Sequence, residues 1–168
     1  LAAIAKTGDE QRLFVRTVQE NLANAPGVVS VSVGDGVPLD FIYRNARVAR
    51  DAESAFVPAH TTRVGPGYLE TIGTPIFQGR GFTAAEAESN APVIIVSETT
   101  ARNLWPGESP LGKSFRVESK FRDGTSEVIF PSAQVIGVAR DNQTYRVGQT
   151  PPLFLYAPET ASEWFDKS

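Results

Sequence analysis

Cysteine and methionine are absent from the 168-residue sequence, and histidine occurs once, as His60. Without cysteine the chain forms no disulfide and no thiolate metal site. A zinc site or a histidine general base works with further histidines or carboxylates in a defined geometry. We therefore interpret His60 as a surface or turn residue and predict no histidine-dependent enzyme site.

An excess of positive charge and long apolar runs are also lacking. The chain has 16 Lys and Arg residues against 19 Asp and Glu residues, a net charge of -3. This balance argues against a general nucleic-acid binder, because phosphates are neutralised by surplus Lys and Arg. No window reaches the roughly 20 apolar residues that span a bilayer. The chain starts at Leu1 without methionine, and we expect a fragment of a larger protein whose length allows one sizeable core or two small lobes.

Residues 93–113 carry the clearest pattern. The run of branched apolar residues Val93–Val96 predicts a strand that is buried on both faces. Ser97 is placed to cap a short helix. Trp105 precedes Pro106, which disfavours the helical conformation at Trp105 and ends the helix there. The sequence therefore predicts a strand joined directly to a short helix.

An amphipathic helix is predicted near the start of the chain. Thr7 and Glu10 have the spacing of a capping box, and Pro26-Gly27 closes the helix. The apolar face of this helix consists of Phe14, Val18, Leu22 and Ala25. Val29–Val33 alternates apolar and polar residues, which predicts a half-buried strand. A helix feeding a strand is typical of an α/β layer.

Periodicity weakens between Val37 and Thr62, which we interpret as a change to a second lobe. Arginines recur there at every third position, as Arg44, Arg47 and Arg50. Short helices are predicted at Pro66–Gly73 and from Thr83. The second half favours strands, with a two-residue hairpin turn at Asp123-Gly124. These strands are Phe115–Phe121, Glu127–Phe130, Gln134–Ala139 and Leu153–Tyr156.

The sequence does not match the patterns of a catalytic nucleophile or of a phosphate-binding loop. A nucleophile elbow at Ser97 requires glycine two residues before and after it, where this chain has Ile95 and Thr99. Gly34-Asp35-Gly36 follows a predicted strand, but the helix start of a phosphate loop is missing. Gly65-Pro66-Gly67 opens a helix, yet Pro66 removes one of the amide donors. Capping and turn formation explain these residues better.

Carboxylate pairs do not predict catalysis either. Asp51 with Glu53 and Glu86 with Glu88 lie in polar segments that are typical of solvated surface, whereas glycoside hydrolysis needs two carboxylates in a cleft. Asp141-Asn142 could ligate calcium, but the acidic calcium loop is absent. We predict no catalytic, cofactor-binding or metal-ligating residue and no enzyme activity.

Four blocks of the chain, taken together, carry a family pattern. They are Ala25–Val28, Gly67–Thr83, Val93–Lys113, and Val135–Asp141 followed by Pro151–Tyr156. In this order and at these separations they resemble the MacB-like periplasmic core domains of ABC-transporter permeases. Within that family, the residues of these blocks are similar to the branch of acidobacteria-type duplicated permeases. Residues 1–6 match only a remnant of the family's first strand, and its last strand is not recognisable in residues 159–168.

The resemblance implies an α+β fold with two lobes. Both chain ends, residues 1–40 and 143–168, would form a porter-like α/β lobe. Residues 41–142 would form an inserted mixed α/β lobe containing antiparallel strands. These boundaries are expectations from the resemblance.

The resemblance also implies a function. The chain would be the extracytoplasmic (periplasmic) domain of an inner-membrane permease, non-catalytic itself, and would transmit ATP-driven conformational change to substrate export or to a partner. Its partners would be the transmembrane helices of its own full-length chain, a cytoplasmic ATPase domain or subunit, and a periplasmic adaptor protein, with no nucleic acid and no cofactor.

Two other functions stay open at this point. A soluble extracellular ligand-binding module would need polar and aromatic groups that converge on a cleft between the lobes. The candidates for such a cleft are Tyr68, Tyr145, Tyr156 and Trp164. A hydrolase with an unrecognised site has the least support, because no reactive cluster is apparent.

Overall fold

The structure, a computed structural model, describes residues 8–35, 44–120, 126–141 and 153–158 of the chain. Its helices are α1 (Gly8–Ala23), α2 (Tyr68–Thr71), α3 (Ala84–Glu88) and α4 (Glu98–Leu104). Its strands are β1 (Arg44–Ala49), β2 (Val57–Val64), β3 (Ile76–Gly79), β4 (Val93–Ser97), β5 (Ser114–Lys120), β6 (Ser126–Ala139) and β7 (Phe154–Pro158). The mixed helix and strand content confirms the predicted α+β class. None of the helices in these residues is long and apolar enough to cross a membrane.

One mixed sheet contains all of these strands, in the order β3-β6-β4-β7-β2-β1-β5. An additional pairing between β5 and β6 closes the sheet on itself. β6 makes closure possible because it has 14 residues: its first part, up to Gln134, pairs with β5, and its last part pairs with β3 and β4. Closure leaves few free strand edges, so each of the six strands in the ring is held by two neighbours.

The first hydrophobic core lies on the inner face of the closed sheet. It combines residues from all six ring strands with α4, which covers part of this face. The strand residues are Ala46, Val48, Ala59, Ile94, Val96, Phe115, Val117, Phe130, Ala133, Val135, Val138, Leu155 and Ala157. From α4 and its C-terminal end come Ala101, Leu104 and Trp105, and the ring of Trp105 meets that of Phe115 edge-on at 5.6 Å between centroids. Because each large side chain buried in this way contributes roughly 1.5–3 kcal/mol, this core is the main source of stability.

A second core covers the opposite face of β2, β4, β6 and β7. Tyr68 and Leu69 of α2 pack there, together with Phe82 from the segment before α3. The sheet contributes Val64, Ile95, Ala139, Phe154 and Tyr156. The central strands β4 and β7 are therefore buried on both faces, as the apolar run Val93–Val96 predicts.

Several local predictions are confirmed. α1 has 16 residues and ends before Pro26-Gly27, where Gly27 has a φ of 85°. Gly73 has a φ of 71° just after α2. Thr83 forms the predicted capping box with Glu86 at the start of α3. Thr7, the N-terminal partner of the capping box predicted for α1, and the hairpin turn Asp123-Gly124 lie outside the described residues.

Two strand predictions are wrong. Val29–Val33 forms no strand in the structure, since only Gly34 makes an isolated bridge, to Val64. Alternation supplies an apolar face, but a strand also needs backbone hydrogen bonds along its length. Among the described residues this segment has such a bond at its end, where the Val33 carbonyl accepts from the Gly65 amide, while Val29 is 99% exposed. β1 and most of β2 lie between Val37 and Thr62, where weak periodicity gives no strand prediction.

The second error concerns β6, which the sequence predicts as two strands, Glu127–Phe130 and Gln134–Ala139. Pro131, which lies between them, lacks the amide donor that a ladder needs. The register shows instead that Phe115 faces Ala133 while Val117 faces Phe130, so Pro131 and Ser132 lie together opposite the single residue between them on β5. This bulge accommodates the proline within one strand.

The predicted division into two lobes stays a prediction; β7 pairs with both β2 and β4.

Candidate functional site

A buried hydroxyl network joins α4 to β7. Ser97 caps α4, and its Oγ accepts a hydrogen bond from the Thr100 amide at 3.2 Å. The Thr100 hydroxyl donates to the Phe154 carbonyl at 3.1 Å and accepts from the Phe154 amide at 2.8 Å. Thr100 is fully buried, so no water competes for these bonds. The helix is thereby fixed to one point of the central strand.

Asp141 fixes the start of the same helix to the end of β6. Its Oδ1 accepts from the Thr99 amide at 2.9 Å and its Oδ2 from the Thr99 hydroxyl at 2.6 Å. Arg102 approaches the same carboxylate at 3.3 Å and also pairs with Glu98 at 2.9 Å. A carboxylate at a helix N-terminus satisfies free amides and complements the helix dipole. We name Ser97, Thr99, Thr100 and Asp141 the α4 anchor.

Asp35 ties the segment after α1 to the sheet. Its Oδ1 accepts from the Thr62 hydroxyl at 2.6 Å and from the Arg63 amide at 2.8 Å, while its Oδ2 accepts from Arg44 Nε at 2.8 Å. The Asp35 amide in turn donates to the Arg63 carbonyl at 3.0 Å. One carboxylate thus joins the chain after α1 to β2 and β1. We name this set, with Gly34, the Asp35 anchor.

Glycines allow this segment to lie close to the second core. A Cβ atom on Gly34 would come within 2.5 Å of the Tyr68 ring, and one on Gly65 within 2.7 Å of the Val33 side chain. The Gly65 amide donates to the Val33 carbonyl at 2.9 Å, and the Ser32 hydroxyl donates to the Pro66 carbonyl at 2.9 Å. Gly34 therefore allows the close approach and Asp35 the anchoring, two roles that the sequence interpretation as a turn does not include.

The apolar face of α1 is exposed within the described part of the chain. The exposed apolar residues of α1 and of the segment after it are Leu13, Phe14, Val18, Leu22, Val28 and Val29. Three of them, Phe14, Val18 and Leu22, belong to the face for which the sequence predicted packing against an α/β layer. α1 is thus connected to the sheet through the Asp35 anchor rather than through a core of its own.

The sequence-predicted reactive candidates do not come together. His60 is half-buried on β2, and burial lowers the pKa of its imidazole, which favours the neutral form. Ser97 acts as a helix cap. Asp51 accepts hydrogen bonds from the Glu53 amide and from the amide and hydroxyl of Ser54. Its carboxylate therefore stabilises the local turn. Among the described residues no group of three or more metal-ligating side chains is found.

Glu86 is engaged in a structural ion pair. Both of its oxygens accept hydrogen bonds from Arg80, at 2.8 and 2.6 Å, and one also accepts from the Thr83 amide at 2.9 Å. The Arg80 guanidinium, followed by the Thr83 donors, lowers the pKa of Glu86 to about 2. Glu88 lies at the exposed end of α3. Glu86 is therefore not poised for proton transfer near neutral pH.

Two of the four aromatic residues suggested for a ligand cleft are described by the structure, and both are buried. Tyr68 and Tyr156 are buried in the second core, and Tyr145, Trp164 and Asn142 lie outside the described residues. A surface groove of 220 Å³ does lie between β3 and α4, lined in part by Phe77 and Trp105. It is smaller than the roughly 300–1,000 Å³ of ordinary ligand pockets.

The described residues form a closed mixed sheet with helices packed on both of its faces. Solved extracytoplasmic domains of ABC-type transporters share this fold. The periplasmic region of MacB from Actinobacillus actinomycetemcomitans matches with a TM-score of 0.57 and 20% identity, over 87% of this chain and 55% of that one. The extracellular domain of the noncanonic ABC-type transporter YknZ from Gram-positive bacteria matches with a TM-score of 0.52 and 21% identity, over 83% of this chain and 59% of that one.

The profile of the MacB-like periplasmic core domain family matches residues 5–166, and the chain belongs to this family. Among curated proteins, the macrolide export ATP-binding/permease protein MacB of Mannheimia succiniciproducens is 27% identical over 107 residues, 63% of this chain. The protein of the same name from Marinobacter nauticus is 35% identical over 86 residues, 51% of this chain. The matched parts make up only 14% and 12% of those two relatives. The family assignment confirms the predicted resemblance and an extracytoplasmic location within an inner-membrane protein.

Proposed function

We propose that this domain transmits conformational change, driven by ATP hydrolysis elsewhere in its transporter, across the extracytoplasmic side of a permease. The observation that carries the proposal is the way the helices are attached. The Asp35 anchor holds the segment after α1, and the α4 anchor holds α4, each through several hydrogen bonds to a sheet that has closed on itself. A displacement applied at α1 would then move the whole sheet.

The proposal includes the partners that such a role requires. Transmembrane helices of the full-length chain would apply the force, an ATPase domain or subunit in the cytoplasm would supply the energy, and a periplasmic adaptor would receive the movement. The curated relatives are named as macrolide exporters. A macrolide is therefore our proposed substrate class, and erythromycin is the probe for the test.

The test uses the full-length parent permease with its ATPase, reconstituted in lipid vesicles. Asp35→Asn keeps the size of the side chain but removes the charge that holds Arg44. We expect erythromycin transport per ATP hydrolysed to fall at least about threefold, as for loss of one part-buried, charge-assisted contact, while ATP hydrolysis itself continues.

Asp51→Asn is the matched control, because Asp51 makes only local bonds in an exposed turn. It should leave both rates unchanged. If Asp35→Asn leaves transport per ATP at the level of the control, or if both variants lower it equally, the transmission role through this anchor is refuted.

A further inference from the structure

Two arginines and one phenylalanine surround a buried carboxylate on the outer face of the sheet. Arg47 of β1 and Glu118 of β5 are directly opposite each other in the antiparallel register. Arg116 lies two residues before Glu118 and so on the same face of β5. Their neighbours Val48 and Val117 point into the first core. We name Arg47, Phe56, Arg116 and Glu118 the arginine cluster.

Glu118 orients both guanidinium groups of the cluster. Its Oε2 accepts from Arg47 Nε at 2.7 Å and from Nη2 at 2.6 Å, and its Oε1 lies 3.5 Å from Arg116 Nη2. Both guanidinium carbons also lie over the ring of Phe56, at 4.6 and 5.0 Å from its centroid. The Glu118 side chain is 8% exposed, whereas those of Arg47 and Arg116 are 39% and 33% exposed. The carboxylate therefore forms the floor of the cluster and the arginines form its accessible surface.

Stability alone does not account for this arrangement. Burying a carboxylate costs several kcal/mol, and its attraction to partners roughly offsets that cost, so an apolar replacement is often as stable. The cluster keeps one net positive charge after Glu118 is neutralised. Each guanidinium carries five N–H donors, and the contacts with Glu118 use two of Arg47 and one of Arg116. Oriented donors are left for another oxyanion.

The backbone is irregular beside the arginine cluster. Arg116 lies opposite the bulge of β6 that contains Pro131 and Ser132. A bulge changes the direction of side chains near it and is common beside functional sites. Apolar surface borders the cluster as well, since Val57, which follows Phe56, is 42% exposed. A polypeptide side chain could cover such a border, whereas a free phosphate could not.

We propose that the arginine cluster binds a carboxylate side chain of an acidic segment in a partner protein. The planar fork of Arg47 and Arg116 matches the two oxygens of a carboxylate, and Glu118 and Phe56 hold the fork in place before the partner arrives. This interaction does not depend on the transmission role, because it concerns the outer face of β1 and β5 rather than the anchors.

The test titrates the ¹⁵N-labelled 168-residue chain with a hexaglutamate peptide and follows amide and arginine Nε signals by NMR. We expect saturable shifts that centre on the cluster. Arg116→Gln should weaken binding about fivefold, the effect of losing one solvent-accessible charged contact. Arg16→Gln removes the same charge from the exposed face of α1, far from the cluster in the chain, and should leave the affinity unchanged.

Arg116→Lys provides a second comparison if Arg116→Gln does not fold, since it keeps the charge and loses the planar fork; it too should bind more weakly than the wild type. Absence of saturable binding, or an equal loss in Arg16→Gln, would overturn the proposal. Equal or tighter binding of inorganic phosphate or of phosphatidylglycerol vesicles would also overturn it, because the site would then select phosphate rather than a protein carboxylate.

Discussion

Thr100→Val tests the α4 anchor with a change of almost constant shape. Valine replaces the hydroxyl by a methyl group and removes the bonds to both backbone groups of Phe154 and to Ser97. The Phe154 amide then loses its 2.8 Å acceptor. Each of the three hydrogen bonds that are lost contributes about 1 kcal/mol, and the extra buried methyl group offsets about 0.8 kcal/mol of the total. We expect a net loss of about 2 kcal/mol in the free energy of unfolding.

Urea unfolding followed by tryptophan fluorescence measures this loss, because Trp105 lies in the first core and is 3% exposed. The midpoint should fall while the slope stays the same, which indicates a change in stability without a change in exposed surface. Thr17→Val is the matched control, since Thr17 bonds only to Leu13 within the exposed helix α1; its effect should stay within about 0.5 kcal/mol. A Thr100→Val effect no larger than that of the control would refute the anchoring role.

Two further predictions concern the segment around β3 and α3. Gly79→Ala should destabilise the domain by more than about 2 kcal/mol in the same urea assay, because Gly79 has a φ of 75° and a Cβ there would lie 2.1 Å from the Ile136 carbonyl. Gly107 has a similar φ of 77° but open space around it, so Gly107→Ala should cost only about 1 kcal/mol. Equal losses in the two variants would exclude the close contact as the cause. Glu86 has its pKa lowered from 4.5 to about 2 in the folded state, so its contribution to stability is complete above about pH 4.5 and is lost as the pH falls towards 2. Arg80→Gln should remove that part of the pH dependence, and an unchanged acid unfolding profile would contradict the assignment.

The β4–α4 unit could be predicted from the sequence because its signals are local. Four branched apolar residues specify a strand that is buried on both faces, Ser97 supplies a cap one residue later, and Pro106 ends the helix. None of these inferences requires knowledge of a distant partner. The short helices before and after β3 were predicted for the same reason.

The closed sheet and the Asp35 anchor depend on distant partners and could not be predicted in this way. β1 carries Arg44 and Arg47, whose charges meet Asp35 and Glu118, 9 and 71 residues away. In isolation these arginines suggest a solvated segment. The carboxylate of Asp35 meets Thr62 and Arg63, 27 and 28 residues away. A single sequence contains no signal for such pairings, although an aspartate between two glycines could have prompted a search for one.

The opposite error occurred at Val29–Val33. Alternating residues satisfy the local requirement of a strand, but among the described residues the backbone of this segment is bonded to a neighbour only at its end, through Val33 and Gly65. The residue pattern therefore favours a strand at Val29–Val33, whereas the tertiary structure does not form one.

Stiffness between α1 and the sheet is the central claim, and a distance measurement tests it most directly. Cysteines for spin labels can be introduced in the parent permease at Thr17 of α1 and Ser132 of β6, which are both exposed. The domain itself has no native cysteine that would also be labelled. Pulsed electron paramagnetic resonance should give one narrow distance distribution that is the same with and without ATP. A broad distribution, or a distance that shifts with ATP, would contradict transmission by a rigid domain.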